Sequence, residues 1–133
     1  MLGHYLMFNG SCAEALECYK AAFNAQVSEI TRYGDIPPDP AFPVSEARRK
    51  LVLHAKLAID GEEIMCADSY DHSTHGDNMY VSVTTPDSAY VQKAWDILKA
   101  GGEVYMDLAP AFFSASHGSL RDKFGVNWMF TVL

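Results

Sequence analysis

Hydrophobic residues recur at two spacings along residues 1–68 and predict a strand, a helix and three further strands. Tyr5 to Phe8 reads as a short strand. The apolar residues that follow lie on one helical stripe, at spacings of four, three and four: Cys12, Leu16, Tyr19 and Phe23. Ser11 and Glu14 have the spacing of a capping box, which predicts that the helix begins at Ser11.

After this helix the pattern changes to the alternation of β-strands. Gln26 to Tyr33 is β-rich, whereas residues 34–45 contain four prolines and form the longest predicted loop. Arg49 to Ile59 alternates as a long strand and places His54 on its less apolar face. Asp60-Gly61 is a hairpin signal, and a strand after it closes the first module.

The same order of elements is repeated over residues 76–133, with a period near 70 residues. Met79 to Thr84 is the predicted strand, and Thr85-Pro86 is the predicted start of a helix that runs to Ala100. Three strands follow it: Glu103 to Leu108, Ala111 to His117, and Val126 to Leu133. The pattern predicts an α+β fold in one domain, residues 1–133, in which paired βαβββ modules form a cupped, antiparallel-rich sheet with the helices outside.

Composition and charge exclude several classes of partner. The formal net charge is −7 and the only basic cluster is Arg48-Arg49-Lys50, so we expect no nucleic-acid binding. No apolar run approaches the ~20 residues that span a bilayer, and no secretory signal is visible, so a cytoplasmic location without membrane contact is expected. The three cysteines lack C-x-x-C spacing and are expected to be reduced core residues.

Five segments together resemble the PhnB-like branch of the vicinal oxygen chelate superfamily, which includes glyoxalase I, fosfomycin-resistance enzymes, extradiol dioxygenases and bleomycin-binding proteins. They are residues 5–10 (YLMFNG), 15–20 (ALECYK), 54–57 (HAKL), 64–68 (IMCAD) and 118–128 (GSLRDKFGVNW). Phe113 departs from the branch, which usually has tryptophan there. The resemblance covers essentially the whole chain and implies a cleft for a small-molecule ligand and a homodimer.

The resemblance also implies a divalent metal ion, held by one residue each from the first and fourth strands of both halves, normally His or Gln and Glu. The matching positions in this chain are His4, Met65, Asn78 and Met129. Two thioethers and an amide would leave most of the charge of such an ion uncompensated. We therefore expect no metal site and no cofactor, and His4 is the one remaining candidate ligand. A register shift of one residue would change this, because it would turn Asp68 or Glu63 toward the cleft.

The candidate ligand-binding residues combine polar groups with aromatic walls, as small-molecule pockets generally do. They are His4, Phe8, His54, Asn78, Tyr80, Phe113 and Trp128. His54 is equally compatible with a general base and with a satisfied structural histidine. His117 lies near the equivalent place in the second half, whereas residues 72–75 (HSTH) are expected in a loop with a structural or solvent role.

The sequence favours a small-molecule-binding, glyoxalase-like protein with a degenerate metal site and an unknown ligand. The alternative is a divalent-metal-dependent lyase, isomerase or dioxygenase in which His4, His54 and Asp68 bind one ion. A purely structural or interaction protein is a third class. Relatives of this branch have been named 3-demethylubiquinone methyltransferases, but the chain has no glycine-rich loop after a strand, so methyltransferase activity is not expected.

Overall fold

The computed structural model describes residues 1–133, which form eight β-strands and two α-helices. The first half contains β1 (Tyr5–Phe8), α1 (Cys12–Phe23), β2 (Gln26–Arg32), β3 (Val52–Ile59) and β4 (Glu62–Asp68). The second half contains β5 (Val81–Thr85), α2 (Ser88–Lys99), β6 (Glu103–Ala111), β7 (Ser114–Arg121) and β8 (Asn127–Val132). The predicted α+β class and the order of strand, helix and three strands, twice over, are confirmed.

The strands form two four-stranded mixed sheets, with the orders β1-β4-β3-β2 and β5-β8-β7-β6. In each sheet the first strand is parallel to its neighbour and the remaining pairs are antiparallel. The two orders are identical once the second half is renumbered. The internal repeat therefore extends from the order of elements to their pairing.

The chain divides into two compact units, whose boundary follows Ser73 in the polar stretch between the two predicted modules. The first unit contains Met1–Lys20 and Asn24–Ser73, and the second contains Ala21–Phe23 and Thr74–Leu133. The last residues of α1 thus group with the second unit. There the Phe23 ring lies 4.9 Å from that of Trp128.

In the first unit, α1 covers one face of the sheet with Cys12, Leu16 and Tyr19 of the stripe that the sequence predicts. All four stripe residues are buried, and the ring of Tyr19 contacts that of Phe8 at 6.5 Å. Asn24 ends the helix with a left-handed backbone, φ 51°. Ala55, Leu57 and Ile59 point to this covered face and are buried, whereas the residues between them lie on the opposite face, here called the first open face.

In the second unit, α2 packs on β7 and β8. Trp95 of α2 meets Phe130 of β8 edge to face, with ring centroids 6.0 Å apart. Leu120, Trp128 and Val132 are buried on the same side. The face of this sheet away from α2 is called the second open face.

Several element ends differ from the prediction for local physical reasons. The helix α2 begins at Ser88, because the Asp87 carboxylate accepts a hydrogen bond from the Tyr90 N–H (3.0 Å) and Thr85 still pairs in β5. The capping box at Ser11 does not form, since the Ser11 side chain makes no cap hydrogen bond. Strand β6 continues through Pro110, which an edge strand tolerates because no neighbour needs the missing N–H.

Candidate functional site

On the first open face, Tyr5 and His54 form a hydrogen-bonded pair. Tyr5 is level with Met65 on β4, and Met65 is level with Lys56 on β3, so these side chains share the face with His54. The Tyr5 hydroxyl lies 2.9 Å from His54 Nδ1, and the ring centroids are 5.8 Å apart. Strand β4 lies between β1 and β3, so the Tyr5 side chain must cross β4 to reach His54. It crosses near Ala67, a small, buried residue of β4 that pairs with Met7. The predicted orientation of His54, away from the apolar face, is confirmed.

The protonation of this pair follows from the surroundings of Tyr5. Burial raises the pKa of the Tyr5 phenol above its ordinary value, and the Cys66 and Cys12 thiols raise it further. The phenol therefore stays neutral and keeps its proton at physiological pH. Depending on the imidazole tautomer, the phenol donates to Nδ1 or accepts from it, and Nε2 is correspondingly the N–H donor or the acceptor that can face a ligand.

Lys56 lies on the same face but is already paired. Its Nζ is 3.0 Å from Glu29 Oε2 and 3.8 Å from Glu63 Oε1. The Glu29 carboxylate raises the pKa of Lys56, with a smaller contribution from Glu63. Glu29 itself has a left-handed backbone, φ 54°, at an irregularity in the pairing of β2 with β3. The charge of Lys56 is thus balanced within the unit.

The second open face presents a histidine at the same position of the repeat. Ser119 on β7 is level with Met129 on β8, as Lys56 is level with Met65 in the first sheet. His117 precedes Ser119 by two residues and His54 precedes Lys56 by two, so the two histidines are equivalent. This is the near-equivalent place that the sequence predicts for His117.

His117 is held by a hydroxyl and by an aromatic ring. Its Nδ1 lies 3.0 Å from Thr131 Oγ1, and its ring meets that of Phe113 edge to face at 4.9 Å. Phe113 is 51% exposed and contacts Phe112 at the tip of the β6–β7 hairpin. The structure therefore brings the predicted residue Phe113 to His117.

Tyr80 belongs to a second cluster on this sheet. Its ring lies 6.2 Å from that of Tyr105, whose hydroxyl donates to Asn127 Oδ1 at 2.9 Å. Asn127 Nδ2 donates to the carbonyls of Gly76 (2.8 Å) and Met79 (2.9 Å) and so fixes the segment that carries the exposed Asn78. Sequence reasoning missed Tyr105 and Asn127, because only the register shows that they meet.

Phe8 and Trp128 need a correction, because both lie in the core and not on an open face. Each has 0% exposure. Trp128 is level with Val81 on the side covered by α2, and its Nε1 donates to Asp122 Oδ2 at 2.9 Å. Because strands alternate, the neighbouring residue Met129 takes the open face. The aromatic walls expected from these two residues are absent from the open faces.

In the observed register, two of the four positions expected to hold a metal are occupied by different residues from those predicted. His4 is exposed and precedes β1, and its backbone carbonyl accepts from the Met65 N–H at 3.0 Å. The residue paired with Met65 in the sheet is Tyr5, so Tyr5 takes the position that the sequence assigned to His4. In the second sheet, Ser82 is level with Met129, four residues after Asn78. A phenol, a hydroxyl and two thioethers do not fit a hard or borderline divalent ion. No three His, Cys, Asp or Glu residues of the chain lie close enough to hold one.

Asp68, the ligand that a shifted register would supply, is occupied elsewhere. Its Oδ1 accepts from the Cys12 N–H and its Oδ2 from the Val52 N–H, both at 2.9 Å. Burial raises the pKa of the Cys66 thiol to about 12 and that of Cys12 higher still, so neither supplies a thiolate. Both groups serve the core.

The repeated βαβββ unit with its two mixed sheets defines a protein of the glyoxalase-like fold class. The fosfomycin-resistance protein FosX from Listeria monocytogenes, complexed with Mn(II) and 1S,2S-dihydroxypropylphosphonic acid, has the same fold: TM-score 0.64, 15% identity, covering 100% of this chain and 92% of that one. Within the class, the chain belongs to the PhnB-like family whose model is described as 3-demethylubiquinone-9 3-methyltransferase and matches residues 2–131.

Relatives of similar length cover the whole chain. Protein YjdN from Escherichia coli K12 is 26% identical over 139 residues, which are 99% of this chain and 95% of YjdN. A putative 3-demethylubiquinone-9 3-methyltransferase, PhnB protein, from Bacillus cereus has a TM-score of 0.83 and 29% identity over 99% of this chain and 98% of that chain. Protein PA1353 from Pseudomonas aeruginosa has a TM-score of 0.84 and 28% identity over 99% of this chain and 96% of that chain.

The helices of the chain are short and amphipathic. Each of the two α-helices has 12 residues, and neither has the length and apolar character that a bilayer-crossing helix requires.

Proposed function

We propose that this protein binds a small organic molecule through the open faces of its sheets, without a metal ion. The observation that carries the proposal is the histidine at the same repeat position of both sheets, His54 and His117. In each case Nδ1 is bonded to a hydroxyl of the chain, at 2.9 Å and 3.0 Å. A hydrogen bond at one nitrogen orients the ring and leaves the other nitrogen for a ligand.

The groups around these histidines define the ligand class. The second nitrogen of each imidazole offers one hydrogen-bonding group, Phe113 offers an aromatic edge, and Met65 and Met129 offer polarizable, adaptable surface. The charge of Lys56 is already balanced by its carboxylate partners. These groups suit a compact, uncharged molecule with an apolar body and one carbonyl or hydroxyl group.

The family description names a methyltransferase, but this proposal does not include methyl transfer. The chain has no glycine-rich loop between a strand and a helix that would bind a nucleotide-like cofactor. A metal-dependent reaction is not proposed either. The paired residues at the expected metal positions, Tyr5 with Met65 and Ser82 with Met129, are poor ligands for a divalent ion. The homodimer, the cytoplasmic location and the absence of nucleic-acid partners stay predictions.

A ligand screen with matched histidine variants tests the proposal. Ligand-detected NMR against a library of small neutral metabolites, in buffer with EDTA, finds binders, and calorimetry then measures Kd for His54→Gln, His117→Gln and the control His72→Gln. We expect binders whose Kd rises about tenfold in one of the first two variants, the effect of one lost hydrogen bond of roughly 1.4 kcal/mol.

The control separates ligand contacts from general effects of the substitution. His72 lies exposed in the loop before β5, so His72→Gln should leave Kd unchanged. If every binder keeps its affinity in both His54→Gln and His117→Gln, or binds only after a divalent ion is added, the proposal is wrong.

A further inference from the structure

The proline-rich connection between β2 and β3 forms an open pocket of about 360 Å³, and none of its lining residues belongs to a strand. This volume falls at the lower end of the roughly 300–1,000 Å³ typical of small-molecule sites. Its lining is largely apolar, with four prolines and Phe42, and it contains one cation, Arg49, and one carboxylate, Asp39. The Asp39 Oδ1 accepts from the Ala41 N–H at 2.9 Å. Neither the family nor the proposed function assigns a role to it.

The pocket is held in shape although its wall is a loop. The Tyr70 hydroxyl donates to the Pro43 carbonyl at 2.5 Å, and the Tyr70 ring stacks on Phe42 with centroids 4.3 Å apart. Below the loop, the Gly34 N–H donates to the Arg49 carbonyl at 3.0 Å. Four prolines with fixed φ reduce its freedom further. A ligand would therefore meet a largely preformed wall, which lowers the entropic cost of binding.

Two consecutive arginines beside the pocket have different surroundings. Arg48 is used by the fold, since its Nη1 donates to the Ser69 carbonyl (2.6 Å) and its Nη2 to the Asp71 carbonyl (2.9 Å). Arg49 is exposed and makes one long hydrogen bond, from Nη2 to the Gly34 carbonyl at 3.3 Å. Arg49 takes part in none of the ion pairs of the chain. Most of its guanidinium donors remain for a ligand.

The charge next to Arg49 favours an anion. Arg49 also lines an adjoining open groove that contains Arg32 and Lys50, together with two carboxylates. One of these, Asp35, already accepts from the Arg32 backbone N–H at 2.8 Å. With three cations and two carboxylates the groove has a formal charge of +1, in a chain with a net charge of −7.

We propose that this pocket binds a planar aromatic carboxylate. The ring would lie against Phe42 and the prolines, which offer apolar surface, and the carboxylate would meet the Arg49 guanidinium in a two-point hydrogen bond. Arg49 gives this site a different ligand chemistry from the uncharged open faces. The inference stands independently of the proposed function.

Calorimetry on the full chain tests the inference with two isosteric probes, 2-naphthoate and the uncharged 2-naphthamide. We expect 2-naphthoate to bind the wild type and Arg49→Gln to raise its Kd about tenfold or more, because a charge-assisted pair is lost. The affinity for 2-naphthamide should be weaker and equal in both proteins. Phe42→Ala should weaken the binding of both probes, because it removes the ring that both would contact.

Lys93→Gln is the matched control, since it removes one positive charge from an exposed position of α2 in the second unit. It should leave the Kd of 2-naphthoate unchanged. The inference is overturned if the wild type does not bind 2-naphthoate or if Arg49→Gln and Lys93→Gln have equal affinities. It is also overturned if His54→Gln or His117→Gln abolishes naphthoate binding, because the probe then occupies an open face.

Discussion

Asp68 shows how one buried side chain connects elements that are far apart in sequence. Its carboxylate accepts the N–H of Cys12, at the start of α1, and that of Val52, at the start of β3. Its carbonyl accepts the Tyr33 hydroxyl at 2.8 Å. The negative charge is tolerated at 1% exposure because both oxygens are hydrogen-bonded and the N-terminus of a helix favours an anion. Asp68 is therefore a structural residue.

Replacing this carboxylate with an amide should destabilise the fold strongly. In Asp68→Asn, an NH₂ group faces one of the two backbone N–H donors, so a buried donor loses its acceptor and a charge-assisted bond is lost. We expect a loss of about 2–4 kcal/mol in the free energy of unfolding, measured in urea. Asp71→Asn, at an exposed position three residues later, should change it by less than about 0.5 kcal/mol. Equal losses in the two variants would contradict the structural role.

At the scale of elements, the two helices begin in different ways. The start of α2 is capped locally by Asp87, whose carboxylate accepts from Tyr90 three residues on. The start of α1 is capped by Asp68, which lies 56 residues away from Cys12 in the chain. A local cap can be read from spacing, whereas a distant one depends on the tertiary fold.

Because the helices are capped differently, removing the Asp87 side chain should reduce the free energy of unfolding more than removing the Ser11 side chain. Asp87→Ala should lower the free energy of unfolding by about 1 kcal/mol, the usual effect of losing a cap. Ser11→Ala should cost less than about 0.5 kcal/mol, because the Ser11 side chain makes no cap bond. Thermal and urea unfolding of both variants measure this. A Ser11→Ala loss as large as that of Asp87→Ala would show that the capping box forms after all.

Periodic patterns predicted the fold well, and long-range partners limited the prediction of the candidate site. The α1 stripe, the bounds of β1 and the Asp60-Gly61 turn follow from local rules, and the structure has them. The pairing of Tyr5 with His54 spans 49 residues and depends on the register of three strands. Phe8 and Trp128 were misplaced because an aromatic residue suits both a core and a pocket wall, and strand parity decides between them.

For the whole molecule, the residues at the four positions that the resemblance assigns to a metal bear on whether an ion binds. In the observed register, the four positions that would hold the metal ligands are occupied by the Met65 and Met129 thioethers, the Tyr5 phenol and the Ser82 hydroxyl. The comparison with FosX concerns the fold alone, so its manganese says nothing about this chain.

Metal analysis of the intact protein tests directly whether an ion binds. Chain purified without chelator and dialysed should contain Mn, Fe, Ni and Zn at levels well below one ion per chain, because its donors leave the charge of an ion uncompensated. His4→Ala should have the same metal content as the wild type, since His4 lies before β1 and away from the level of Met65. A stoichiometric ion that disappears in His4→Ala would support the metal-dependent alternative.

The repeated histidine position has a consequence for how such a protein diverges. His54 is anchored by a phenol from β1 and His117 by a threonine hydroxyl from β8, so the two halves share the histidine and differ in the residue that holds it. A tyrosine partner brings bulk and an aromatic ring, whereas a threonine leaves space. Natural selection can thus adjust each copy separately, and the ancestral symmetry of the two halves need not extend to what they recognise.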